Sequence, residues 1–291
     1  MTVEEMRTLN ATLPPDVHFV ERVAEVEGEI VASGWALQKF WVDRAGSYRL
    51  EVVVLPRYQR RGIGGALYEE LLAAVREREA QRLYVEVQEN RSEAMRFVEE
   101  RGFTPTGFVT RMSRLAVAEA NLEGYEGLEE RLGSEGIRVT TLQELGAEDE
   151  SVWHAHHELH LSTTKDEPGS ETFTLGFEQF REHVSKEPGM VPESIFIALH
   201  GDTQIGYAKL RRQGEDAAWN QGTGVESAYR GRGVARLLKL HTLRYARQHG
   251  IAYLYTGNDL SNSRMLAINI RLGYQALPNS IETVKELTAE A

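Results

Sequence analysis

Two glycine-rich segments of the sequence lie 171 positions apart and share their neighbours. Gly62 is matched by Gly233, and further along the chain Gly102 is matched by Gly273 at the same offset. The register runs from one glycine to the next without a gap, and self-similarity at a fixed period indicates repeated structural units. The chain is therefore predicted to contain two tandem copies of one fold. Two further pairs follow the same offset: Tyr58 with Tyr229, and Arg61 with Arg232.

Each copy alternates strand and helix patterns in the same order. In the first copy an apolar run at 50–55 predicts a buried strand, and apolar residues every four positions over 63–75 predict an amphipathic helix. Residues 83–87 alternate as a strand, and 92–101 predict a second helix that ends at Gly102. The second copy repeats this order: a strand at 219–225, a helix at 232–249, a strand at 252–256, a helix at 263–272 and terminal strands at 274–287.

The two copies differ at their starts. Before its glycine turn the second copy has a strand pattern at 137–142, two helix patterns and a hairpin at 194–210, whereas the first copy reaches its hairpin at 19–37 almost at once. The first copy is therefore expected to lack an opening strand and helix. We predict an α/β (α+β) fold of two domains, each a mixed, mostly antiparallel sheet flanked by helices. The expected boundaries are 1–115 and 136–291, with a helical linker at 116–135.

The glycine turn of each copy predicts an anion site. It follows a strand and opens a helix, so successive N–H groups and the helix N-terminus point at one place, where glycine lets the backbone approach a ligand closely. The nearby guanidinium groups suit phosphate, and a diphosphate is the natural guest. Neither turn has the Gly-Lys-Ser/Thr of a Walker loop, and Leu67 stands where a dinucleotide fingerprint needs its third glycine. The arginines concerned are Arg60, Arg61, Arg230 and Arg232.

The pattern Gln/Arg-x-x-Gly-x-Gly/Ala at this turn resembles the signature of the GNAT superfamily of N-acetyltransferases. The second landmark of that family is Asn-x-x-Ala, a helix and Gly-Phe. Asn262 with Met265 and Gly273 is similar to it, while in the first copy Arg91 occupies the asparagine position. The residues that carry the turn resemblance are Gln59, Gly62 and Gly64 in the first copy, and Arg230, Gly233 and Ala235 in the second.

The resemblance implies a cofactor and a site. Acetyl-coenzyme A would bind with its diphosphate on the turn amides and its pantetheine along residues 52–54 or 223–225, where two strands splay apart. An amine of a small molecule or peptide would attack the thioester directly. The candidate cofactor-binding residues are Val52, Val54, Gln59, Arg60, Arg61, Gly62, Ile63, Gly64 and Gly65 in the first copy, and Thr223, Val225, Arg230, Gly231, Arg232, Gly233, Val234, Ala235 and Asn262 in the second.

The candidate acid and base groups depart from the family pattern. The family often has a tyrosine four residues before the helix-ending glycine, as general acid to the leaving thiolate, but Val98 and Asn269 occupy those positions. A catalytic carboxylate often sits on the strand before the turn. Glu51 is the candidate, because a charged residue in an apolar strand is unusual, and the alternative is that it faces water. Its repeat partner is Gly222, which has no acid or base.

Four histidines cluster on one predicted helix: His154, His156, His157 and His160. The run 157–160 falls one residue short of the zinc-protease HExxH, so no metal site is predicted. A solvated helix face is the main interpretation, and a role in lining an acceptor cleft is the alternative. The polar segment 162–171 follows this helix and is interpreted either as a lid over the acceptor or as an ordinary loop.

Composition narrows the class of partner. The net charge of −11 disfavours nucleic acid and anionic membrane surfaces, and no apolar run is long enough to span a bilayer. The absence of cysteine excludes a cysteine nucleophile and thiolate metal ligands. With no signal peptide visible at the N-terminus, a cytoplasmic location is expected. Oligomeric state is not indicated.

Three functions therefore stand as hypotheses. The first is an acetyl-coenzyme A-dependent N-acetyltransferase acting on a primary amine. The second is an enzyme like mycothiol synthase, a tandem GNAT acetyltransferase that acts on a cysteinyl pseudodisaccharide. The third is an acetyl-coenzyme A-binding sensor or scaffold without turnover. The missing tyrosines and the short first copy favour the third, and turnover with a panel of amines separates them.

Overall fold

The computed structural model describes residues 7, 10, 11, 13–41, 46–165 and 175–287. The described chain divides into two compact units. The first unit comprises Pro14–Thr110 together with the segment from Pro278 on, and the main part of the second unit is Arg111–Leu277. Each unit has a mixed, mostly antiparallel sheet flanked by helices, as the sequence predicts. The part of the lid segment from residue 166 to 171 lies outside the described residues.

The first unit has the strand order β1-β2-β3-β4-β12-β5. Its hairpin turns at Glu27-Gly28, and both of these residues have a positive φ. Strands β3 and β4 are parallel, whereas β12 is antiparallel to both of its neighbours. The elements are β1 (Phe19–Val26), β2 (Glu29–Gln38), β3 (Ser47–Val54), α1 (Ile63–Arg76), β4 (Arg82–Gln88), α2 (Ser92–Glu99), β5 (Thr104–Ala116) and β12 (Ser280–Glu286).

The second unit repeats this arrangement and adds elements before it. Its order is β5-β10-β9-β8-β7-β6, with the short β11 paired to the end of β5. Strands β9 and β10 are parallel, like β3 and β4 in the first unit. The elements are α3 (Leu128–Ser134), β6 (Ile137–Thr141), α4 (Leu142–Gly146), α5 (Glu150–Thr164), α6 (Phe177–Lys186), β7 (Ile195–His200), β8 (Thr203–Gln213), β9 (Ala217–Val225), α7 (Val234–Gln248), β10 (Tyr253–Asp259), α8 (Ser263–Leu272) and β11 (Gln275–Ala276).

The helix that follows each glycine turn holds its unit together. In α1 the apolar residues at four-residue spacing, among them Leu67, Leu71 and Val75, are buried against the sheet. In α7 the equivalent face carries Leu237, Leu238 and other residues with almost no exposed surface. The predicted periodicity is therefore confirmed as core packing.

The last strand belongs to the first unit, although the sequence-based boundaries placed it in the second domain. Strand β12 pairs with β4 over seven residues, from Ser280 opposite Gln88 to Glu286 opposite Arg82. Conversely, β5 is 13 residues long, and its second part, from Arg111 on, lies in the second unit. An alternating pattern predicts a strand but does not specify which sheet the strand joins. The sequence therefore did not indicate that β12 and the second part of β5 each lie in the unit formed by the other copy.

The segment predicted as a helical linker is helical only in part. A 3₁₀ turn covers Val117–Glu119, and α3 begins at Leu128 after two glycines with positive φ, Gly124 and Gly127. Three apolar residues of this segment, Tyr125, Leu128 and Leu132, are nevertheless buried in the core of the second unit, and Leu122 packs against them. The linker is thus an integral part of that unit. Within the described residues, no helix is long and apolar enough to cross a membrane.

Candidate functional site

The two glycine turns have the same backbone geometry. Each follows a strand and a 3₁₀ turn, and each helix is preceded by a left-handed glycine, Gly62 (φ 83°) or Gly233 (φ 101°). A second left-handed residue lies two positions earlier, Arg60 (φ 62°) in the first turn and Gly231 (φ 79°) in the second. This sequence of conformations turns successive N–H groups toward one side, where the first N–H groups of the helix have no intrahelical partner.

The first residue of each signature closes the turn. The side chain of Gln59 donates from Nε2 to the carbonyl oxygen of Val54 at 3.0 Å, and Arg230 donates from Nε to the carbonyl oxygen of Val225 at 2.9 Å. Since both strands end at these carbonyls, the glutamine and the arginine do the same structural work. Other contacts repeat as well: the guanidinium carbons of Arg61 and Arg232 lie 5.3 and 5.5 Å from the ring centroids of Tyr58 and Tyr229.

In the second unit the turn opens into a large cavity of about 710 Å³. The cavity brings together all nine cofactor-binding residues predicted for the second copy, along with side chains from α5, β8 and α8. The lining residues outside the prediction include Arg131, His160, Thr163, Tyr207, Lys209 and Arg264.

The cavity extends along a gap between two strands. Strand β9 pairs with β10 only from Ala217 to Trp219, and beyond Trp219 the two strands diverge. Next to the divergence, β9 has one extra residue, Gln221, because Asn220 pairs with Leu210 and Gly222 with Lys209. Such a bulge bends a strand and interrupts its pairing, which re-aims the groups beside it. The first unit has the same splay, since β3 and β4 pair only from Ser47 to Arg49.

The wall of the cavity away from the turn is polar. The Nδ1 atom of His160 lies 2.9 Å from the hydroxyl of Tyr207. Both Tyr207 and Lys209 pack over Gly222, within 3.5 and 3.8 Å of the place a β-carbon would occupy. At Gly224 a β-carbon would lie 2.7 Å from both Tyr207 and Thr163, so only glycine permits α5 to approach β9 this closely. The glycines of β9 thus make room for this wall.

The histidine cluster is mostly buried, which corrects the interpretation as a solvated face. His156 is fully buried among aromatic rings, His157 is 9% exposed, and His160 lines the cavity, as the alternative interpretation proposed. Burial lowers the pKa of His156 to about 3 and that of His160 to about 2, so both rings are neutral at physiological pH. No group of residues in the described chain has the arrangement of a metal site.

We expect the substitution His156→Phe to stabilise the second unit, most strongly at acidic pH. Neither ring nitrogen of His156 has a hydrogen-bond partner within the described residues, so an apolar ring of similar shape loses no bond. The pKa of about 3 lies below the unfolded value of 6.5, so the unfolded chain takes up protons first as the pH falls below 6.5. The wild type should therefore lose about 1.4 kcal/mol through this residue between pH 7.5 and 5.5.

Urea unfolding of wild type and variant at these two pH values measures the effect. The variant should lose less stability than the wild type on acidification. His154→Phe is the matched control on the same helix, because His154 is half exposed, lies beside Glu150 and stacks on Phe177, a contact that a phenylalanine ring can keep. Equal pH dependence in His156→Phe and wild type would show that His156 takes up its proton in the folded protein.

The site residues predicted in the first copy lie around its own turn, but the surrounding surface is open. The Glu51 side chain is exposed on β3 and accepts a hydrogen bond from Nε1 of Trp35 at 3.2 Å. The next residue on that face, Val53, is 52% exposed, whereas its repeat partner Gly224 is covered by α5. The difference follows from α5, whose Thr163 lies against Gly224 in the second unit.

The landmark asparagines have structural roles. The Oδ1 atom of Asn262 accepts a hydrogen bond from the backbone N–H of Met265 at 3.2 Å and so caps α8, and the residue also lines the cavity. Asn269, at the position of the family's tyrosine, is 2% exposed and donates to Oδ1 of Asn258 at 2.7 Å. In the first copy Val98 is buried in the core. Neither residue can donate a proton to a thiolate.

Two residues of the polar wall, Tyr207 and Lys209, were missed at the sequence level. They lie on β8, outside both family landmarks. One signal was available: Lys209 is a charged residue inside the apolar run 205–210, which is the same argument that singled out Glu51. Its burial on the cavity wall depends on Gly222 in the neighbouring strand, and pairing of that kind is visible only in the fold.

Comparison with known proteins decides the family. The sequence matches the Acetyltransferase (GNAT) family twice, over residues 2–103 and 153–274. The chain belongs to the GNAT acetyltransferase family. Each match contains one of the two glycine turns, so the tandem arrangement predicted from the repeat is confirmed. The second match ends before β12, the strand that lies in the first unit.

Relatives of this tandem GNAT protein include two mycothiol acetyltransferases. That of Thermobispora bispora is 27% identical over 230 residues, covering 77% of this chain and 71% of the relative. That of Catenulispora acidiphila is 25% identical over 264 residues, covering 88% and 78%. These similarities extend across both copies.

Solved structures show the same fold. A tandem GNAT protein from the clavulanic acid biosynthesis pathway aligns with a TM-score of 0.72 at 18% identity, covering 97% of this chain and 87% of that one. A GCN5-related N-acetyltransferase from Sphaerobacter thermophilus aligns with a TM-score of 0.64 at 20% identity, covering 89% and 78%.

Proposed function

We propose that this protein is an acetyl-coenzyme A-dependent N-acetyltransferase and that its chemistry takes place in the second unit. One observation carries the proposal: a single cavity joins the glycine turn, the splay of β9 from β10 and a polar wall. Acetyl-coenzyme A supplies the acetyl group as a thioester. The acceptor amine takes it by forming a C–N bond as the C–S bond breaks, which yields an acetamide and free thiol.

The residues of the second turn fit a diphosphate. A β-carbon built on Gly231 meets no atom within 4 Å, so the backbone at this position is open to a ligand. Helix α7 has 15 residues, and its N-terminus favours anions. Four arginines that line the cavity add positive charge near the turn: Arg131, Arg230, Arg232 and Arg236.

The splay gives the cofactor's extended arm a place to lie. Beyond Trp219 the residues of β9 are no longer paired to β10, so this edge of the strand is available to an extended ligand. The bulge at Gln221 lies at the same point, beside the wall of Tyr207 and Lys209. The second unit would thereby hold the thioester and the acceptor in one orientation, which is the main source of rate enhancement in a direct transfer.

Proton transfer in this site would fall to water. Among the described residues that line the cavity none is acidic, and the depressed pKa of His160 prevents it from taking up a proton near neutral pH. Gly222 and Asn269 stand where family members often have a base and an acid. A rate that rises with pH through the pKa of the free amine is the expected consequence.

A second candidate is an acetyltransferase with an acceptor related to mycothiol. The two mycothiol acetyltransferases favour it, because they match more than three quarters of this chain. At identities of 25% and 27% the acceptor can differ, since loops and wall residues select it.

Release of free thiol from acetyl-coenzyme A tests the proposal. The chain contains no cysteine, so a thiol reagent reports the released coenzyme without background from the protein. With a panel of primary amines we expect amine-dependent thiol release and an equal amount of acetylated amine by mass spectrometry. Binding of coenzyme A without turnover of any amine would replace the enzyme by a binding protein, and failure to bind coenzyme A would refute both.

A further inference from the structure

Lys209 lies at the acceptor end of the cavity. It stands in β8 between Ile195 and Gly222 of the neighbouring strands, and its Cε lies 3.8 Å from the place of a β-carbon on Gly222. Because Gly222 has no side chain, the lysine side chain can extend over β9 at the point where β9 diverges from β10. The residue is 9% exposed, and that remainder faces the cavity that it lines.

The ammonium group of Lys209 has no hydrogen-bond partner within the described residues. The negative charge of Glu187 favours the charged form, but burial has the larger effect and lowers the pKa of Lys209. Glu187 is itself engaged, since Nε2 of Gln221 donates to its Oε1 at 2.7 Å and Nε of Arg211 lies 3.4 Å from the same oxygen. A buried ammonium without hydrogen bonds is costly unless a ligand satisfies it.

The charges around the cavity separate into two groups. Arg131, Arg230, Arg232 and Arg236 belong to the glycine turn or the elements next to it, where the diphosphate is expected, and Arg264 follows Asn262 at the start of α8. Lys209 is set apart from them on the polar wall with His160, Tyr207 and Thr163. The ring of His160 is neutral there, and its Nδ1 lies 2.9 Å from the hydroxyl of Tyr207. Lys209 is thus the charge that an acceptor meets on this wall.

We propose that Lys209 binds a carboxylate of the acceptor, so that the substrate is a small molecule carrying both an amine and a carboxylate, as an amino acid does. The inference rests on the proposed function of the second unit. One lysine matches a single negative charge, which favours a carboxylate over a phosphate dianion. The carboxylate would provide the hydrogen bonds and the charge that the buried ammonium lacks.

An uncharged acceptor leaves Lys209 unsatisfied in the complex. Hydrogen bonds to charged groups contribute about 1.5–3 kcal/mol, so loss of the carboxylate should lower kcat/KM roughly 10- to 100-fold. A second amine in place of the carboxylate adds repulsion and should be a worse acceptor still.

Matched acceptors and two variants of the full chain test the proposal. Glycine, alanine, leucine and phenylalanine are each compared with the corresponding carboxamide and with the amine that lacks the carboxyl group. In the wild type the carboxylate member of each set should have the highest kcat/KM, corrected for the fraction of free amine. Lys209→Met should abolish this preference, and Lys209→Arg, which keeps the charge, should restore part of it. Lys239→Met is the matched control, because Lys239 is 2% exposed, bonds to Asn220 and does not line the cavity.

A binding measurement keeps the inference separate from the proposed function. Calorimetric titration of the coenzyme A-loaded protein with the N-acetyl derivatives of the same amino acids, and with their amides, needs no turnover. Tighter binding of the carboxylates that disappears in Lys209→Met supports the inference, even where catalysis fails. Equal binding and equal kcat/KM of carboxylates and amides, or a preference that survives in Lys209→Met, overturns it while leaving acetyl transfer intact. If the wild-type protein does not bind coenzyme A at all, the proposed function itself is refuted.

Discussion

Replacing Gly231 by glutamate should weaken coenzyme A binding roughly 100-fold or more, which corresponds to about 2.8 kcal/mol. The residue has a φ of 79° and open space around it, so the new side chain meets no packing obstacle. It would place a carboxylate beside the amides that are proposed to hold the diphosphate. Two unit charges of the same sign about 4 Å apart near a protein surface repel each other by about 4 kcal/mol. Isothermal titration with coenzyme A measures the affinity, and steady-state thiol release measures the corresponding loss in kcat/KM.

Two controls separate charge from backbone strain and one unit from the other. Gly231→Arg has the same left-handed strain, about 1–2 kcal/mol in folding, but no negative charge, and should bind coenzyme A within tenfold of wild type. Arg60→Glu places the same carboxylate at the equivalent position of the first turn, where φ is already positive. We expect it to leave kcat/KM nearly unchanged. If Arg60→Glu abolishes activity and Gly231→Glu does not, the catalytic site lies in the first unit.

The parts of the site that the sequence predicts are those set by local conformation. A left-handed turn residue, a helix opening and a buried apolar strand each depend on residues close in the chain, and Gly233, α7 and the helix over Ser263–Leu272 are found where the sequence predicts them. The repeat strengthens these predictions, because the same pattern of strand, glycine turn and helix occurs in both copies. The offset even predicts tertiary contacts, since Gln59 and Arg230 close their turns in the same way.

The acceptor wall depends on pairing between strands and was not predictable in this way. Lys209 pairs with Gly222 because β9 has one extra residue at its bulge. A shift of one residue in the register would move the lysine side chain to the other face of the sheet. His156 shows the same limit. Its spacing from His160 marks one face of a helix, but only the packing of Phe180 and Tyr207 around its ring buries that face.

The second large effect concerns β12. A chain that ends at Leu277 should lose the fold of the first unit while the second unit stays folded. In the 291-residue chain β12 lies between β4 and β5, and Thr283, which is fully buried, donates from Oγ1 to the carbonyl oxygen of Val85 at 3.0 Å. Without β12 both neighbouring strands have unpaired backbone groups in the interior of their sheet, and each such group costs free energy when buried.

Hydrogen exchange followed by mass spectrometry resolves the two units in one experiment. Amides of β2, β3 and β4 should lose protection by about 1000-fold or more in the chain ending at Leu277, as expected when a cooperative unit unfolds. Amides of β8, β9 and α7 should keep their protection, and coenzyme A should still bind, because the cavity is lined by residues 131–268 alone. A chain ending at Leu287 retains β12 and is the matched control. Wild-type protection of β4 in the shorter chain would mean that β12 is dispensable and that the first unit completes its sheet without it. Loss of protection in both units together would mean instead that the strand exchange makes them one cooperative folding unit.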